Sequence, residues 1–321
     1  MTRFVSHLAA EFDEFLAFKR TLGSPYVRAE FTLRSFDRFV LSYSRRHHPF
    51  RLDDATLGWL ASKRKDRKPV TVTVDLGAVR QFCLHRRRRD PAAFVPGRVW
   101  APQSTKSEFL PFVFTSTQVR ELLQRATALD GSKLRGVVFR LLLLVLYCTG
   151  LRFGEALRLR MKDVDASGGL LFIAESKGRS RWVPFDRSLG RELARYIAAR
   201  RAVAAGAPDD LFFIDPAGGP LRTKTASDTV RALLRAAGLK PPVGRVGPRP
   251  YDFRHTFAVH RLTRWYRAGV DINARLPWLS AYMGHNDILG TETYLTATPE
   301  LLAIASLRFE RHLARRKREK P

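Results

Sequence analysis

Residues 134–157 read LRGVVFRLLLLVLYCTGLRFGEAL. Apolar residues crowd this stretch from Leu134 to Cys148 without the gaps of a surface helix. Such a segment folds as a helix buried within a domain core. Thr149-Gly150 closes it, because glycine tolerates the left-handed conformation that ends helices. A further helix is expected almost at once, over about Phe153 to Met161. Arg152 falls at the junction, where a guanidinium near helix-terminal amides makes a natural anion seat. Taken alone, it reads first as one surface arginine among many.

Outward from this core helix, the pattern changes twice. Towards the C-terminus, Leu170-Leu171-Phe172-Ile173 and Arg181-Trp182-Val183-Pro184-Phe185 flank Ser176-Lys177-Gly178-Arg179, as in two short strands joined by a glycine-containing turn. Helices resume over about Leu189 to Ala205 and Ser227 to Ala237, followed by a proline- and glycine-rich loop, residues 241–250. The rest reads as helical, and Pro299 after Thr298 resembles the start of a capped final helix. Towards the N-terminus, a helix starts at Thr115 or Thr117, with Val119, Leu122 and Leu123 on one face. Before it, Pro96, Gly97, Pro102 and Pro111 interrupt a polar stretch that reads as a linker.

The first hundred residues carry three apolar stripes at helical spacing. They are Leu8, Phe12, Phe15 and Leu16, ended by Gly23; Leu33, Phe36, Val40 and Tyr43; and Leu76, Val79, Phe82 and Cys83. The third runs into Arg86-Arg87-Arg88-Arg89, which reads either as a solvated face or as phosphate contacts. The expected organisation is therefore a helical domain over 1–94, a linker over 95–114 and a larger domain over 115–321. The fold class is mainly α with a small β-sheet, an α+β second domain.

Charge narrows the function. Across 321 residues, Lys plus Arg number 57 and Asp plus Glu 30, a formal net of +27. A chain this basic repels itself, so an anionic partner is expected. Nucleic acid is favoured over a membrane surface, because the basic residues spread through globular segments and Arg, with its planar fork, outnumbers Lys. The two cysteines, Cys83 and Cys148, sit in apolar helical patterns and read as core residues, neither disulfide nor zinc ligands. No apolar run approaches bilayer length and no signal-peptide core is present, so a cytoplasmic, soluble protein is expected.

Two more segments carry candidate chemistry. One is Tyr251-Asp252-Phe253-Arg254-His255-Thr256-Phe257-Ala258; the other is Met283-Gly284-His285, with Tyr294 nine positions on. Together with the Arg152 stretch, their wording and order resemble the signature of the tyrosine recombinases, the phage-integrase family. That signature is an arginine in T-G-L-R-x-x-E-x-L, then D-L-R-H-T-F-A, then L-G-H followed nine residues later by tyrosine. The resemblance covers roughly residues 112–300, and the N-terminal segment looks like the family's SAM-like core-binding domain. Ala274-Arg275-Leu276-Pro277-Trp278-Leu279-Ser280-Ala281-Tyr282-Met283-Gly284-His285 is similar to a phrase of the mobile-element recombinases.

The resemblance implies Arg152, Arg254 and His285 as the phosphate clamp, Tyr294 as nucleophile, and Lys177 as the residue that protonates the leaving oxygen. Arg179 and Arg181 lie beside Lys177, so the hairpin register leaves that last transfer open. Three residues before Arg254 the family usually has histidine or lysine; here Tyr251 can donate a hydrogen bond but carries no charge. His255 is no obvious substitute, since the neighbouring helix position points elsewhere. Glu155 is expected to orient Arg152 or to pack at the helix start.

The implied reaction forms a 3′-phosphotyrosine and keeps the bond energy in the ester, with no cofactor and no metal. The implied partners are duplex DNA with inverted half-sites and the protein itself, two protomers per site and four in the synapse, with accessory recombinases as possible helpers. A final helix beyond Pro299, with Leu301, Leu302, Ile304 and Leu307 on its apolar face, is implied to dock on a neighbouring protomer. Two other readings stand beside recombination: a strand-passage or hairpin-resolving enzyme of the same chemistry, and a non-catalytic DNA-binding accessory with an eroded site.

Overall fold

The computed structural model describes residues 4–102, 111–176, 179–244, 246–285, 289–292, 306 and 310. The chain divides into two compact units, Met1–Glu108 and Phe109–Pro321.

The first unit is helical: α1 (Ala9–Thr21), α2 (Val27–Ser44), α3 (Leu52–Asp66) and α4 (Pro69–Arg86). The three apolar stripes lie on α1, α2 and α4, and Phe12, Phe15, Leu33, Phe36, Val40, Val79 and Phe82 are buried in one cluster. The third helix carries no such stripe in the sequence reading. Its buried face mixes Leu52, Trp59 and Leu60 with Ala55 and Thr56, and small or polar residues thin the apolar signal that defines a stripe. Trp59 nevertheless sits at 1% exposure against Phe36, ring centroids 5.2 Å apart. Phe94, Val95, Trp100 and Ala101 also pack on this core. Part of the proline-bearing stretch thus belongs to the first unit, since its aromatic residues lose less by burial than by exposure.

The second unit contains α5 (Ser116–Thr127), α6 (Lys133–Thr149), α7 (Phe153–Arg158), α8 (Arg187–Arg201), α9 (Thr223–Ala236), α10 (Asp252–Arg267), α11 (Ile272–Met283) and α12 (Leu289–Glu292). Thr115 caps α5: its hydroxyl accepts from Gln118 N, and Gln118 Oε1 accepts from Thr115 N. Ten residues of α6 are buried, and the eight apolar side chains from Leu134 to Leu146 among them form the centre of the main core with Leu189, Leu193, Tyr196 and Phe253. A second cluster, including Phe257, Leu262, Leu276 and Met283, joins α10 to α11.

The sheet is antiparallel, in the order β1 (Val164–Asp165), β2 (Leu170–Ser176) and β3 (Arg179–Pro184). Leu171 pairs with Val183 and Ile173 with Arg181. Leu171, Ile173 and Val183 point into the core, so register is set by burial of one face. The helix expected to reach Met161 stops at Arg158. A short 3₁₀ turn over Met161–Asp163 follows, in which the Asp163 carboxylate accepts from Arg160 N at 2.8 Å. The fold class is mainly α with a small three-stranded sheet. Among the described residues, no helix is long and apolar enough to cross a membrane.

Candidate active site

The site is built on helix ends. Gly150 ends α6 in the left-handed conformation, φ +63°, and its carbonyl accepts from Arg254 Nη1 at 2.8 Å. A Cβ on Gly150 would lie 2.4 Å from Phe257 Cδ1, so close packing as well as conformation demands glycine. Gly150→Ala is therefore expected to lower stability by about 2–4 kcal/mol, from left-handed strain and a ring displaced from a filled core. Denaturant unfolding of the intact protein checks this; an unchanged midpoint would contradict the packing argument.

Arg152 precedes α7, and Glu155 sits one turn into it. The Glu155 carboxylate, fully buried, accepts from Arg152 N at 2.8 Å and from Arg152 Nη1 at 2.6 Å. This is the orienting contact expected for Glu155. The second Nη of Arg152 donates to the Gly284 carbonyl at 2.8 Å. The first turn of α10 brings Arg254, 1% exposed, whose Nη2 donates to the Met283 carbonyl at 2.7 Å. A third arginine arrives from β3: Arg181 Nε donates to the Tyr282 carbonyl at 2.8 Å. Its two Nη groups donate to the two oxygens of Glu155, at 3.2 and 2.9 Å.

Three successive carbonyls at the end of α11, those of Tyr282, Met283 and Gly284, thus each accept from an arginine of a different element. A helix leaves its last carbonyls without intrahelical donors and carries partial negative charge there. Three guanidiniums meet both needs. Gly284, φ +68°, then turns the chain into His285. Half-buried His285 places Nδ1 2.7 Å from the hydroxyl of buried Thr291, in α12. The Tyr282 hydroxyl donates to Pro184 O at 3.0 Å, holding α11 on β3, and burial pushes its phenol up to about 12.

The structure brings together Arg152, Arg254 and His285 of the expected set. Lys177 and Tyr294 lie outside the described residues, as do Leu301, Leu302, Ile304, Leu307 and the chain around Pro299. Tyr251 opens α10 at 40% exposure. Its ring packs edge-on against His255, centroids 5.0 Å apart. This corrects the reading that His255 points elsewhere: it diverges from Arg254, its neighbour, but four residues bring it onto the face of Tyr251. Burial, with Arg249 and Arg254 nearby, lowers the His255 imidazole to about 4, so it is neutral at pH 7.

Arg181 is the residue that sequence reasoning noticed without assigning. Its only signal was alternation along β3, which places it on the face of Val183.

The basic run after α4 is largely engaged within its own unit. Arg86 pairs with Glu11 at 2.5 Å, Arg87 donates to the Ala93 carbonyl at 3.0 Å, Arg88 lies over the Phe18 ring at 4.7 Å, and Arg89 pairs with Glu14. These contacts anchor α4 to α1 and to the following turn.

The model of the phage integrase family matches residues 113–300. A putative integrase/recombinase of Sinorhizobium fredii, y4rB, is 33% identical over 305 residues, spanning 93% of this chain and 96% of the relative. Among solved structures, the XerH site-specific recombinase bound to palindromic difH substrate superposes with TM-score 0.67 at 18% identity, covering 88% of this chain and 78% of that one. The Tn1549 transposon integrase in complex with transposon right end DNA superposes with TM-score 0.65 at 16% identity, covering 94% and 98%. These two likenesses concern the fold. The family match spans more than half of the chain and includes the arginines and histidine gathered at the end of α11, and on that ground the chain belongs to the phage integrase family of tyrosine recombinases.

Proposed function

We propose that this protein is a site-specific DNA recombinase that cuts and rejoins duplex DNA through a covalent 3′-phosphotyrosine at Tyr294. The observation that carries the proposal is the convergence of Arg152 and Arg254 on the last carbonyls of α11, directly before His285. A phosphodiester repels nucleophiles, and more negative charge develops on its oxygens in the transition state. Preorganised cations stabilise that charge without reorganising at the moment of reaction. Arg152, its side chain 17% exposed, is the clamp arginine assigned to meet the incoming phosphate from the solvent side. Arg254 acts from beneath, where exclusion of water weakens screening of its charge.

In the proposed step the Tyr294 phenol gives its proton to solvent and its oxygen attacks phosphorus, the P–O5′ bond breaks, and the Lys177 ammonium gives a proton to the departing O5′. Tyr251 donates a hydrogen bond to a non-bridging oxygen. Rejoining reverses the step with the 5′-hydroxyl as nucleophile. The first unit is assigned to DNA binding, as a core-binding domain ahead of the linker. The Arg86–Arg89 run then contributes chiefly through Arg89, whose side chain is 71% exposed. Inverted half-sites would each take one protomer, and two occupied sites would make a tetramer. The phrase over residues 274–285, similar to one of the mobile-element recombinases, supports integration or excision of a mobile element as the biological setting.

A nicked suicide substrate tests the reading. Cleavage releases a short oligonucleotide that diffuses away, so the phosphotyrosine accumulates. Wild-type protein with DNA from the flanks of its own gene is expected to yield a covalent, protease-sensitive adduct. Tight binding without any adduct would favour the non-catalytic accessory.

A further inference from the structure

We propose that Arg181 is a positioning residue of the cleavage reaction, setting the plane of the Arg152 guanidinium and the end of α11 that carries His285. The inference rests on the recombinase reading of this site.

The contacts form a closed ring. Arg181 holds both oxygens of Glu155, Glu155 holds the backbone and side chain of Arg152, and Arg152 holds the Gly284 carbonyl. Two residues back, the Tyr282 carbonyl returns to Arg181 Nε. All three guanidinium nitrogens of Arg181 therefore donate to protein acceptors, and its side chain is only 12% exposed. It is placed to act through Arg152, with no part in touching phosphate. Pairing of Arg181 with Ile173 across the hairpin fixes its backbone. A Cβ on Gly284 would come within 2.7 Å of Arg181 Nη1, so the guanidinium fills the space beneath the left-handed turn into His285.

Charge adds a second argument. Arg152 and Arg181 share the single carboxylate of Glu155, so the three groups carry a net charge of +1 beside the phosphate seat. Without Arg181, Glu155 would neutralise Arg152 outright. The clamp would lose orientation and net positive charge together.

Single-turnover adduct formation on the suicide substrate tests this with Arg181→Ala and Arg181→Lys. Arg181→Ala is expected to slow the step about 100-fold, the scale of a displaced reacting group, with DNA affinity within about threefold of wild type. Arg181→Lys, which restores charge without the planar fork, should fall between. The decisive readout replaces the scissile phosphate with a neutral methylphosphonate. Arg152 has less charge to neutralise there, so the loss in Arg181→Ala should shrink to less than about tenfold. Equal loss on both substrates would mark a purely structural role, and a wild-type rate on the phosphodiester would exclude any role; either overturns the proposal. Should Arg181→Ala fail to fold, Arg181→Lys carries the same two-substrate comparison. Absence of adduct from wild-type protein would instead count against the recombinase reading itself.

Discussion

Replacement of Tyr294 by phenylalanine is expected to abolish the covalent DNA adduct and leave DNA binding intact. The substitution removes one oxygen and leaves the ring and the net charge unchanged, so DNA affinity is expected to hold. What disappears is the proposed nucleophile. A phenol titrates near ~10 when unperturbed, and clustered cations ease its deprotonation. His285, nine residues earlier, is tied by Nδ1 to Thr291 in α12, three positions before Tyr294. α12 is therefore tied to the residue that follows the end of α11 held by the arginines. Denaturing electrophoresis of end-labelled suicide substrate reads the adduct directly, and mobility shift reads binding. Persistence of the adduct in Tyr294→Phe would identify another nucleophile and remove the central assignment.

Arg254→Ala has the second large effect, and it acts on two levels. The guanidinium is 1% exposed and donates to the Gly150 and Met283 carbonyls. Its loss leaves two buried acceptors short of a donor, each costing about 1–3 kcal/mol. The melting temperature of the second unit should drop by about 4–24 °C on that basis. Adduct formation should slow by about 10²–10³ under conditions where the variant remains folded, as for loss of one preorganised donor. Arg254→Lys keeps the charge but cannot reach two carbonyls from one point, so it should recover part of the stability and less of the rate. A variant with wild-type melting would show that the two carbonyls find other donors, and wild-type cleavage would exclude Arg254 from the clamp.

Much of this molecule is legible one segment at a time. The buried helix α6, the glycine at its end and the β2–β3 hairpin all follow from period, cap chemistry and turn residues. Each of these signals lies within a few residues of the structure it specifies. The third helix escaped because Ala55 and Thr56 share its buried face with Trp59, and a mixed face weakens the only signal available. The grouping of Arg152, Arg254 and His285, with Tyr294 as its proposed fourth member, came from the order of three motifs, a resemblance that individual residues do not carry. Direction along a helix was the other weak point: His255 shares a face with Tyr251 although it diverges from Arg254.

From the sequence by itself come most of the elements, the glycine that ends α6, the basic character and the family motifs. Tertiary structure alone decides how the motifs meet. Arg152 reaches Gly284 across 132 residues, Arg254 reaches Gly150 across 104, and Arg181 reaches Tyr282 across 101. The physical reason lies in the end of α11. Its last carbonyls need donors that its own helix cannot supply, and that need leaves no periodic trace in the sequence. Packing of α10, α11 and the hairpin around α6 determines which arginines arrive there.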